Sequence, residues 1–197
     1  MAKTVGNTTG QPNDITVATG AGAVDGDTQR LTLASDDPAV VRLTSPQYGS
    51  TTALLSSGLN SLATSTTVGY VSDEVDVSSL AARDVQIMVE AQMTTSGSPT
   101  GFIEVYALGS LDGTEYSGDT SYSGTAASYT LGAAGSVNLT QLGVIKPHAN
   151  TNTYRGLFSL AAAFGGFVPP FWAIVVLNNS AIALHSSGST VNYRVIT

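Results

Sequence analysis

Apolar and polar residues alternate most clearly between Asp84 and Tyr116, DVQIMVEAQMTTSGSPTGFIEVYALGSLDGTEY, and the alternation predicts strands. From Asp84 to Met93, Val85, Ile87, Val89 and Ala91 fall on one side while Gln86, Met88, Glu90 and Gln92 fall on the other, the period of a half-buried strand. From Phe102 to Leu108, Ile103, Val105 and Ala107 oppose Phe102, Glu104, Tyr106 and Leu108, and the run ends in Gly109-Ser110-Leu111-Asp112-Gly113, where Asp-Gly supplies a tight turn. Both runs carry the residues that fit a pleated surface. The Thr, Ser, Gly and Pro cluster between them reads as the turn of a hairpin.

Similar short runs recur from Thr67 onward, at Val68 to Val71, Asp76 to Ser78, Tyr129 to Leu131, Ser136 to Ile145, Tyr154 to Leu160, Phe171 to Leu177, Ala181 to Leu184 and Thr190 to Ile196. Many short strands separated by Gly, Pro, Asn and Ser predict an all-β chain. The long, uneven connections at Ser117 to Ser128 and Lys146 to Thr153 favour a jelly-roll-like antiparallel β-sandwich over a meander. Trp172, Ile174 and Val176 oppose Ala173, Val175 and Leu177, so that run is apolar on both faces and belongs at the centre of a sheet. The most apolar stretch, Leu157 to Leu177, is interrupted by Gly165, Gly166, Pro169 and Pro170, which predicts two strands and a loop and argues against a membrane span.

The N-terminal part is built differently. Met1 to Gly26 is Gly, Thr, Asn and Ala with isolated Val5, Ile15, Val17 and Val24, too sparse to bury its own backbone. In the following QRLTLASDDPAVVRLTSP, Leu31 and Leu33 alternate with polar residues, Asp36-Asp37-Pro38 makes a turn, and Val41 and Leu43 alternate again. Two short strands without enough partners predict an extended arm that adds to a sheet edge of the body or of a neighbouring subunit, with Leu31, Leu33, Val41 and Leu43 as its apolar contacts and Arg30 and Arg42 as charge anchors. For the first twenty-odd residues a flexible tail is an equal reading. Leu54, Leu55, Leu59 and Leu62 have roughly helical spacing, weakened by Gly58 and the surrounding Ser and Thr. The expected organisation is an arm over 1–50, a connector or short helix over 51–66 and a sandwich over 67–197.

Composition adds two constraints. Only 11% of residues are charged, about half the usual share, so the surface is polar but largely uncharged, as suits a protein packed against copies of itself. The net charge is −7, and seven Lys and Arg are scattered at Lys3, Arg30, Arg42, Arg83, Lys146, Arg155 and Arg194, which leaves no basic patch for nucleic acid. Without cysteine there are no disulfides and no thiolate metal sites. The start, MAKTVGNTTGQ, lacks an apolar signal region, so the expectation is synthesis and use in a cytoplasm without cleavage.

Candidate chemistry is thin. His148 and His185 could act as bases, but no G-x-S-x-G elbow is present, and turn histidines are the simpler reading. Gly20 to Gly26 spaces its glycines wrongly for a dinucleotide loop. Asp112, Glu115 and Asp119 near one turn, and Asp73, Glu74 and Asp76 near another, could hold Ca²⁺, but neither follows the D-x-D-x-D-G pattern, and solvated turn residues are expected instead. Tyr106, Tyr116, Tyr122, Tyr129 and Trp172 could form a sugar-stacking platform or could be half-buried strand residues. No catalytic residue, metal ligand or cofactor is expected.

Two strings resemble those of a known class. Gln29-Arg30-Leu31-Thr32-Leu33-Ala34-Ser35-Asp36-Asp37-Pro38-Ala39-Val40 resembles the QR-(V/L)-TLASDDPAV string of tailed-bacteriophage virion proteins, where it often follows a Gly, Thr and Ala-rich start. The run from Val77-Ser78-Ser79 through Ser98-Pro99 to Gly109-Ser110-Leu111-Asp112-Gly113-Thr114-Glu115-Tyr116 is similar to a β-sandwich element of phage head and tail proteins. The resemblance covers less than half the chain and brings no catalytic residues. It implies a non-enzymatic virion structural protein, foremost a capsid decoration (cement) protein. Its partners would be copies of itself, as a homotrimer or other symmetric homo-oligomer, and the major capsid protein or other virion proteins, with no nucleic acid or membrane. A neck or tail adaptor or fibre-type protein is a variant of this expectation. A carbohydrate-binding module for host adsorption is an alternative of another class, and a glycan depolymerase is the third.

Overall fold

A computed structural model describes residues 46–118, 122–131 and 138–197. The six arm residues Arg30, Leu31, Leu33, Val41, Arg42 and Leu43 lie outside the described residues, as does Asp119. Among the described residues ten strands form two antiparallel sheets: β1 (Thr52–Leu55), β2 (Val68–Val71), β3 (Val75–Asp76), β4 (Asp84–Gln92), β5 (Phe102–Ser110), β6 (Ala127–Thr130), β7 (Thr140–Ile145), β8 (Thr153–Ser159), β9 (Phe171–Asn179) and β10 (Thr190–Ile196). A 3₁₀ turn (Ser57–Leu59) and a single-turn helix α1 (Leu160–Ala163) complete them. One sheet runs β1-β10-β4-β8 and the other β6-β2-β9-β5-β7, with β3 also on β9. β1 pairs with β10, β2 with β9, β4 with β8 and β5 with β7. That nesting of early strands against late ones is a jelly roll, to which β3 and β6 are additions.

The alternation read from sequence decides the faces. Val85, Ile87, Val89 and Ala91 of β4 are buried against Ile103, Val105 and Ala107 of β5 and Trp172, Ile174 and Val176 of β9 in one core between the sheets. β9 is central, flanked by β2 and β5. Its other face, Ala173, Val175 and Leu177, is buried too, because Tyr122, Tyr129, Leu131 and Leu139 from the long connection between β5 and β7 roof it in a second cluster with Leu108 and Val71. Uneven connection length thus converts a solvent face into a second core.

Three expectations need correction. β4 and β5 are not a hairpin: β4 pairs with β10 and β8, and β5 with β9 and β7. Each run has one strongly apolar face, and the two faces bury each other across the sandwich, which strands side by side in one sheet cannot do. The connector over 51–66 contains the first strand, β1, whose Thr52, Ala53 and Leu55 register with Tyr193, Asn192 and Val191. The short 3₁₀ helix Ser57–Leu59, with Leu59 buried, follows it in the same stretch. Ala181 to Leu184 is a turn, entered through a positive φ of 71° at Ala181; Asn178 Nδ2 donates to the carbonyls of Leu62 and Ile182 at 2.9 Å, and only Leu184 makes a bridge, to Met93.

Chain direction sorts the connections between two ends of the sandwich. Residues 72–83, 111–118, 122–126 and 160–170 lie at the end where β10 finishes, and 56–67, 93–101, 146–152 and 180–189 lie at the other. The chain before β1 also runs at the first end, where Gln47 and Thr197 exchange backbone hydrogen bonds of 2.9 and 3.0 Å.

Candidate functional site

The first end carries an apolar cleft, assembled from two turns whose local sequence shapes them. At the end of β8, Ser159 caps α1 by accepting from Ala162 N–H at 3.1 Å, while Asp84 Oδ1 accepts from Ser159 Oγ at 2.9 Å and from Ala161 N–H at 3.0 Å. Gly165 and Gly166, with φ of 74° and 101°, stop the helix after one turn, and Gly166 N–H reaches back to Ala161 O at 2.8 Å. Phe164 and Phe167 then stand as a tilted pair 6.1 Å apart.

The facing wall is the turn after β5. Ser110 Oγ accepts from Gly113 N–H at 3.0 Å and donates to Asp112 Oδ1 at 3.1 Å; Asp112 Oδ1 also accepts from Thr114 N–H at 2.9 Å and Glu115 N–H at 3.0 Å. The N–H groups of Glu115 and Thr114, with the hydroxyls of Thr114 and Ser110, hold the Asp112 carboxyl far below the usual carboxylate range. It is therefore a fixed anion, and its bonds within the turn run through Oδ1. Between the walls lies a cleft of about 420 Å³ lined by Gly109, Ser110, Leu111, Phe164, Phe167 and Pro169, with Asp112 and Glu115 on its rim. Gly109 forms the floor because a Cβ there would stand 2.9 Å from both Phe164 and Pro169.

Leu111 is 81% exposed and Phe167 57% exposed, and Tyr48 and Leu80 at the same end are exposed as well. An apolar concave surface with neighbouring exposed apolar side chains can bind an apolar side chain or segment. A smaller depression of about 280 Å³ on the outer face of the four-stranded sheet is lined by Gln86, Met88, Leu157 and Arg194.

The residues singled out from sequence are largely dispersed. Trp172 is in the inner core, edge-on to Tyr193 at 5.2 Å, whereas Tyr122 and Tyr129 are buried and Tyr106 and Tyr116 half-buried on the opposite face of the same sheet, so the five form no sugar platform. Tyr122 hydroxyl donates to Ser72 O at 2.8 Å, and burial, with the charges of Glu74 and Asp73, raises its pKa above the ordinary tyrosine value. His148 lies edge-on to Tyr154 at 5.4 Å, and His185 Nδ1 accepts from Ser187 N–H at 3.2 Å; both sit in turns at the end away from the cleft. Asp76 Oδ1 accepts from Ser78 N–H at 2.8 Å within its own turn, and Asp73 Oδ1 accepts from Ala126 N–H at 2.7 Å, tying its turn to the residues just ahead of β6. Burial, then the neighbouring Asp76, raises the pKa of Glu74. Among the described residues no three His, Asp or Glu side chains group as a metal site.

Asp112 and Glu115 are the sequence candidates that the cleft brings together. Phe164, Phe167 and Pro169 were not read as a site, although the excess of apolar residues around Gly165-Gly166, where a loop should be polar, is the signal that marks them. No protein-family model matches this chain, and no curated protein matches its sequence.

Proposed function

We propose that this protein is a non-enzymatic structural protein of a tailed-bacteriophage virion, a capsid decoration protein that attaches to the particle through its N-terminal arm and associates with its own copies. The observation that carries the reading is the apolar end of the jelly roll: Leu111, Phe167, Leu80 and Tyr48 are exposed where the chain before β1 runs along β10. Exposed apolar side chains grouped at one end of a rigid body are a surface for attachment. The Gln29 to Val40 string, with its resemblance to phage virion proteins, supplies the class of assembly.

In this reading the attachment is adhesive. Arm strands containing Leu31, Leu33, Val41 and Leu43 add to sheet edges of neighbouring subunits, and Arg30 and Arg42 anchor to carboxylates. Symmetry multiplies weak contacts into durable attachment. The two-core body supplies rigidity. Neck or tail attachment uses the same surfaces and differs in the particle component bound.

The test is binding of full-length protein, and of protein lacking Met1 to Ser45, to purified particles stripped of this protein. Full-length protein is expected to bind capsids and the truncated form to lose at least tenfold in affinity, roughly the gain that one linked contact contributes. Binding to tails alone moves the protein to the neck or tail. Equal binding of both forms refutes the arm as the attachment device, and binding to neither heads nor tails refutes a virion role.

A further inference from the structure

We propose that the cleft between Leu111 and Phe167 receives the Gln29 to Leu43 segment of a second copy of this chain, an apolar side chain filling it and the adjacent arginine pairing with Asp112 and Glu115. This inference rests on the self-association reading above and names its contact. Charge decides the occupant. Among the described residues the connections at the cleft end bear Asp73, Glu74, Asp76, Asp112 and Glu115 against one cation, Arg83, so docking one cleft against another would gather a net excess of like charge around the contact. An apolar segment that carries a cation meets the same surface favourably.

The chain contains such a segment outside the described residues. Arg30 directly precedes Leu31, and Arg42 stands between Val41 and Leu43, whereas the cations of the described body are differently placed: Arg155 pairs with Glu90, Arg194 donates to Thr51, Lys146 lies over the Phe102 ring, and Arg83 stands between Ala82 and Asp84 rather than beside a large apolar residue. The two arginine-flanked apolar pairs are thus the complement in sequence of an apolar cleft with a fixed anion on its rim. The cleft volume of about 420 Å³ is in the range of sites that enclose a small ligand or a few side chains. Asp112 holds its charge through its own turn, so a partner cation meets a carboxylate already ionised and oriented, which lowers the cost of pairing.

The absence of cysteine permits a direct test on the full chain. A Leu43→Cys protein is mixed with an isotopically labelled Phe167→Cys protein under mild oxidation, and the mixed disulfide is counted by intact mass. An Asn150→Cys protein, substituted at the opposite end, is the control. Phe167 is more than half exposed, so its replacement leaves the fold intact. The mixed species with Phe167→Cys is expected to exceed the control by roughly tenfold or more, the gain that docking gives through effective concentration. Arg42→Glu alone or Glu115→Lys alone is expected to lower the yield several-fold, and the two together, one on each partner, to restore it.

Yields equal to the control overturn the proposal. A Leu43→Cys, Phe167→Cys double variant that closes within single chains at every dilution overturns the assignment to a second copy. Cross-linking in solution without particle binding removes the virion reading and leaves this contact standing; particle binding without cross-linking does the reverse.

Discussion

Replacing Ser72 by Ala should destabilise the protein out of proportion to the single oxygen removed. Ser72 is fully buried between β2 and β3, where the edge of β9 passes from one partner strand to the next. Its Oγ accepts from Ile174 N–H at 3.0 Å and donates to Asp73 O at 2.8 Å, its own N–H donates to Ile174 O at 2.9 Å, and its carbonyl accepts from the Tyr122 hydroxyl. The side chain therefore supplies an acceptor to the central strand, while the backbone ties that strand to the roof over the second core. With alanine the Ile174 N–H stays buried without its acceptor, and an orphaned buried donor costs about 1–3 kcal/mol. With a urea slope of roughly 2 kcal/mol/M, the unfolding midpoint should fall by about 0.5–1.5 M. Trp172 is the single tryptophan and lies two residues from Ile174 in the inner core, so its fluorescence reports the transition. Amide exchange at Ile174 should accelerate along with it. A midpoint within about 0.2 M of the parent protein, at unchanged slope, would refute the claim that this hydroxyl completes the pairing of β9.

Three further outcomes follow from the same geometry. Leu111→Ser with Phe167→Ser should leave unfolding stability within about 0.5 kcal/mol, since both side chains are exposed, yet weaken self-association measured by sedimentation roughly 30-fold or more, equivalent to about 2 kcal/mol of lost apolar burial; unchanged association would exclude the cleft from the contact. Asp84→Ala removes an acceptor shared by Val85 N–H, Ser159 Oγ and Ala161 N–H, and should cost about 2–3 kcal/mol in urea unfolding and expose the chain near α1 to protease; a cost below about 0.5 kcal/mol would mean that the cleft wall is held by other contacts. Burial and the adjacent Glu104 carboxylate push the Tyr106 pKa up to about 12. The folded state thus holds a proton that the unfolded chain releases near pH 10, and stability from this group declines as pH rises from about 10 to about 12. Tyr106→Phe should flatten that part of the decline in alkaline unfolding, and an unaltered profile would remove Tyr106 as its source.

The sequence by itself determined most of the strands and the faces that the longest of them bury, because a period of two is a local property of the chain. Val85 to Ala91 and Ile103 to Ala107 read correctly as core faces, and Phe171 to Leu177 read correctly as a central strand. An all-β jelly roll was within reach on those grounds together with the uneven connections. Strand partners were not, since hydrogen bonds between strands leave no trace in the residue order: β4 and β5 are neighbours in the chain but face each other across the core, and β1 hid within a leucine-rich stretch of helical spacing. The cleft likewise belongs to tertiary structure alone. Leu111 comes from the connection after β5 and Phe164 and Phe167 from the one before β9, and only the nesting of β5 against β9, with α1 tied to Asp84, brings these side chains and the Asp112 carboxylate to one surface.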